Sequence, residues 1–114
     1  MSSTEILFLE ILKSNSMDKE NNPNCFIDDS NELLNTYQIV KEDFKIGVMK
    51  FFSNNNSEYQ IGVHITKDNQ TATNLLRKRY KNESEADDYF KELVSIIENI
   101  TLEEILLKFK NYYL

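Results

Sequence analysis

The chain has 114 residues, 40% of them hydrophobic and 28% charged, and a formal net charge of −6. That length is one domain, able to bury roughly two-thirds of the surface it exposes when unfolded. The acidic balance argues against a general nucleic-acid binder, because phosphate affinity needs clustered cations.

A single cysteine, Cys25, excludes an internal disulfide framework. Apolar runs such as Ile6–Leu9 fall far short of a membrane span, and the N-terminus lacks the basic region of a secretory signal. A cytoplasmic, soluble protein is the expectation.

Along the chain, Ser2 reads as an N-cap with Glu5 as its capping-box partner, and Ile6 and Leu9 lead one face of a predicted helix over 3–14. Residues 15–31 hold the only proline, in Asn21-Asn22-Pro23-Asn24, and the polar run Asp28-Asp29-Ser30-Asn31, and read as a long loop. Asp29 or Ser30 is expected to cap a short turn at 31–35. Tyr37, Ile39 and Lys41 then alternate as a strand, and Glu42-Asp43 makes a turn. Residues 44–52 and 58–66 alternate on either side of the asparagine-rich stretch Ser53–Ser57 and predict a hairpin.

Residues 73–81 fit a fourth strand at the sheet edge, with a helix as the competing reading. Ser84 is the expected N-cap of a helix whose apolar stripe runs from Ala86 to Ile100. Thr101 restarts the pattern with Glu104 as its capping-box partner, and Lys108 and Lys110 suit the C-terminal end of that helix. The order predicts an α+β fold: a small antiparallel sheet of three to four strands, with an N-terminal helix and two C-terminal helices packed on one face.

Several chemistries lack their residues. The two glycines, Gly47 and Gly62, lie inside strands, so no phosphate-binding glycine loop is present. They are expected across the hairpin from each other, where a crossing helix would approach closely. One histidine and one cysteine do not make a usual zinc site. His64 reads as a half-exposed sheet residue, the sharper alternative being a general base for Cys25. Asp28, Asp29 and Glu32 lack the spacing and glycine of a calcium loop. No cofactor is expected.

Two charged features remain. Arg77, Lys78, Arg79 and Lys81 surround Tyr80, a pattern that suits phosphate contacts with a stacked base or, more simply, an edge strand guarded by charge. Glu85, Asp88 and Glu92 share one helix side with Glu83 and Asp87, and suit a basic partner surface, a mimic of nucleic-acid phosphates or plain solvation. Tyr112 and Tyr113 near the C-terminus add aromatic surface of the kind found at interfaces, homodimers included. The expected function is a non-catalytic binding protein (an inhibitor, adaptor or immunity-type protein) that engages a protein partner. The alternatives are a nucleic-acid-associated protein using 77–81 and a small enzyme without a familiar motif.

Overall fold

Two tight turns set the geometry of the sheet. Glu42 and Asp43 have φ of 48° and 71°, and Asp68 and Asn69 have φ of 51° and 65°. Both pairs sit between directly paired strand residues, Lys41 with Phe44 and Lys67 with Gln70. Positive φ at both central positions marks the type I′ two-residue hairpin loop, whose backbone twist matches the twist of the strands, and short polar Asp and Asn tolerate it best.

The structure, a computed structural model, describes residues 2–21 and 31–113, with side chains described outside 14–21, 73–78 and 111–113. Helix α1 (Ser3–Asn21) is followed by strands β1 (Asn31–Lys41), β2 (Phe44–Ser53), β3 (Glu58–Lys67) and β4 (Gln70–Tyr80), then by helices α2 (Glu83–Asn99) and α3 (Leu102–Tyr113). Among the described residues the strands pair in sequence order as one antiparallel meander, with β1 and β4 at its edges. The predicted α+β arrangement is the observed one, and 70–80 is a strand. No helix among the described residues is long and apolar enough to cross a membrane.

Alternation along β2 and β3 sends Phe44, Ile46 and Val48, with Ile61, Val63 and Ile65, to the helix side of the sheet. There they meet Phe8 and Ile11 of α1, Ala86, Phe90 and Ile97 of α2, and Leu102, Leu106 and Phe109 of α3. Phe8 and Phe44 meet edge to face at 5.1 Å, the arrangement the ring quadrupoles favour. On the opposite face Met49 and Phe51 form a small buried cluster of their own.

Three local expectations need correction. Helix α1 continues through residues 15–21, which were expected in the loop. Met17, Lys19 and Glu20 are good helix formers, and extending an existing helix costs far less than starting one. Of the apolar surface of the same helix, Phe8 and Ile11 are buried and Ile6 and Leu9 are exposed. Residues 31–35 belong to β1 rather than to a turn, because pairing with β2 outweighs weak local turn chemistry. Asn82, not Ser84, caps α2, its side chain accepting from the Ser84 N–H at 2.8 Å. The capping box of α3 forms as expected, with Glu104 N–H donating to Thr101 Oγ1 at 3.2 Å and Thr101 N–H to Glu104 Oε1 at 3.3 Å.

Candidate partner-binding groove

Helix α2 crosses β2, β3 and β4, so each residue in its first three turns faces either the sheet or solvent. Ala86 and Phe90 are buried against the sheet. Glu83 and Asp87, one turn apart, flank that buried line and reach Lys50 of β2, whose Nζ lies 3.3 Å from Glu83 Oε2 and contacts Asp87 Oδ1. Lys50 is only 7% exposed. Burial of its ammonium pulls the pKa down; the Asp87 and Glu83 contacts outweigh that and hold it above the ordinary 10.5. Glu83 and Asp87, each about half open to solvent, thus pair with the buried Lys50, which commits part of the expected acidic face to a contact with the sheet.

Glu85, Asp88 and Glu92 do face outward, and all three are exposed. They line an open groove of about 290 Å³ together with Tyr89 of α2 and Tyr80 at the end of β4. The two tyrosine rings stand 6.1 Å apart, tilted by 43°. Tyr80 reaches this position because β4 ends opposite Tyr59, on the helix side of the sheet. Among the described residues no three His, Cys, Asp or Glu side chains converge closely enough to hold a metal ion. The groove thus presents spread-out negative charge beside aromatic surface.

The structure separates the residues of the basic segment. Arg79 pairs with Gln60 of β3 and projects to the face away from Tyr80. Arg79 Nη1 is 3.4 Å from Glu58 Oε1, and Lys81 Nζ is 3.1 Å from the Asn56 carbonyl oxygen and 4.0 Å from Glu58 Oε2. The β3–β4 register shifts between Gln60 and Ile61, which leaves Arg77 and Lys78 as extra residues between the paired Leu76 and Arg79. The side chains of Arg77, Lys78, Tyr112 and Tyr113 lie outside the described residues, as do Cys25, Asp28 and Asp29 altogether. Glu32 is an exposed residue of β1.

His64 is half-buried and lies across the sheet from Gly47, its imidazole filling the space a Cβ at 47 would need. Gly62 instead pairs with Met49. The two glycines share a face, but they are diagonal neighbours, and a histidine ring rather than a crossing helix occupies the space over Gly47. Burial holds the His64 pKa below its ordinary 6.5.

Two groove residues were expected elsewhere from the sequence: Tyr80 in the basic segment 77–81, and Tyr89 in the apolar stripe of α2, where it does pack against the core. The signal was present: Glu85, Asp88, Tyr89 and Glu92 fall at i, i+3, i+4 and i+7, a single helix side. Compared with known proteins, the chain matches no family model, no curated protein and no solved structure.

Proposed function

We propose that the protein is a non-catalytic binding protein that uses the α2 groove to engage a basic surface of a protein partner. One observation carries the reading: Tyr80, Glu85, Asp88, Tyr89 and Glu92, drawn from two elements, line one open groove. An arginine or lysine of the partner lays its stem along the tyrosine rings and its charged head among the carboxylates. Exposed carboxylates of this kind steer encounter and fix orientation more than they add affinity, and the aromatic floor supplies the anchor. An inhibitor, adaptor or immunity-type role fits such a surface.

The test is capture of partners from the native cells by tagged wild-type protein and by the triple reversal Glu85→Lys/Asp88→Lys/Glu92→Lys, washed at low and high salt, with and without nuclease. The expected result is a protein partner that survives nuclease, is lost from the reversed variant and binds about tenfold or more weakly as salt rises. A partner retained equally by wild type and variant overturns the groove as its site. Material lost to nuclease instead favours the nucleic-acid role for 77–81.

A further inference from the structure

The two edges of the sheet are built differently. The sequence of β4 includes Arg77, Lys78 and Arg79, with Lys81 just after it, and charge on an edge strand is how natural proteins prevent pairing with another chain. The other edge, β1, is 11 residues long, and its stretch 33–40 (Leu-Leu-Asn-Thr-Tyr-Gln-Ile-Val) holds neither charge nor proline. Val40 is 62% exposed and Leu33 53%, the two most exposed large apolar side chains among the described residues, and Leu34 of the same strand is exposed as well. Among the described residues, no strand pairs with the outer backbone groups of β1, and these apolar side chains stay exposed.

Its residue pattern is self-complementary. Opposite β2, β1 carries one extra residue at Leu34, between the pairs Leu33–Phe51 and Asn35–Lys50. That irregularity puts Leu33 and Val40 on the same face of the sheet, away from the helices, and Glu32 and Lys41 together on the helix face. Now place a second β1 antiparallel to the first, about a two-fold axis at Tyr37. Thr36 faces Gln38 and Asn35 faces Ile39; Leu34 takes up the extra position in each copy. Leu33 then meets Val40, and Glu32 meets Lys41, each pair occurring twice. Among the described residues neither Glu32 nor Lys41 is in an ion pair; Lys41 donates to the carbonyl oxygens of Ile100 at 2.6 Å and Glu98 at 3.4 Å.

We infer that β1 pairs antiparallel with β1 of a second copy, joining two four-stranded sheets into one continuous sheet. The contact is isologous, closes on itself and satisfies the exposed backbone edge of both copies. It also leaves the α2 groove free, since that groove lies at β4, the far edge of the sheet. The inference stands independently of the groove's partner.

The test is sedimentation analysis over roughly a hundredfold concentration range, combined with amide hydrogen exchange at both ends of that range. The expected result is a dimer whose β1 amides slow in exchange as concentration rises. Leu33→Lys/Val40→Lys, which places like charges in the paired strands at exposed positions, is expected to weaken self-association at least about tenfold. Glu32→Lys, remote from any core contact, is expected to weaken it by a smaller factor. A wild type that is monomeric throughout overturns the inference, as does a dimer that persists undiminished in the double variant with β1 unprotected. Protection of β1 that requires a foreign peptide rather than a second copy also overturns it.

Discussion

At the scale of single residues, two contacts tie β2 to its surroundings in opposite ways. Gly47 gives up a side chain so that the His64 imidazole can occupy the space a Cβ would need. Gly47→Ala is expected to destabilise the fold by about 1–3 kcal/mol through overpacking, and adding His64→Ala should recover most of that loss in denaturant unfolding. The same burial makes stability depend on pH. Because the folded state holds the His64 pKa below 6.5, the unfolded chain takes up a proton first as pH falls. Stability is therefore full above pH 6.5 and declines on acidification until the folded-state pKa is passed. His64→Gln should flatten that decline in a series of unfolding curves. Lys50 is the converse case, a buried cation made tolerable by two carboxylates. Removing both in Glu83→Gln/Asp87→Asn strands the charge, with an expected cost of about 1–3 kcal/mol, below the fully buried limit because both carboxylates are half open to water. Lys50→Met removes the charge itself and is expected to be near neutral.

At the scale of elements, helix ends followed local chemistry and helix lengths did not. The Thr101–Glu104 box closes as its spacing requires. Thr101→Ala should cost about 1 kcal/mol, seen as a drop of about 4–8 °C in thermal midpoint. Ser2 makes half of the same motif: it accepts the Glu5 N–H at 3.2 Å, but the Glu5 carboxylate turns instead to Lys67 of β3 at 3.2 Å. A long-range ion pair has replaced a local cap, which spacing within one helix cannot reveal. Strand β1 makes the same point. Tyr37 and Ile39 signalled it by alternation, yet its first half is a strand only because Glu32 and Leu33 find Phe52 and Phe51 across the ladder.

At the scale of the whole molecule, the charge map divides by use rather than by position. Of the acidic residues opening α2, Glu83 and Asp87 pair with Lys50 of the sheet, and Glu85, Asp88 and Glu92 face the groove. Of the basic segment, Arg79 and Lys81 lean toward Glu58, while Tyr80 crosses to the acidic side. By itself the sequence determined what depends on near neighbours. It set the alternation that makes β2 and β3, the short polar pairs that turn the hairpins, the apolar period of α2 and α3, and from their order the α+β class. Only the tertiary structure decided which carboxylates look outward, that Tyr80 stands beside Tyr89, that a histidine rather than a helix covers Gly47, and that β1 is the unguarded edge. Each of these depends on which distant element lies opposite, and periodicity along one segment reports a face without naming what will pack against it.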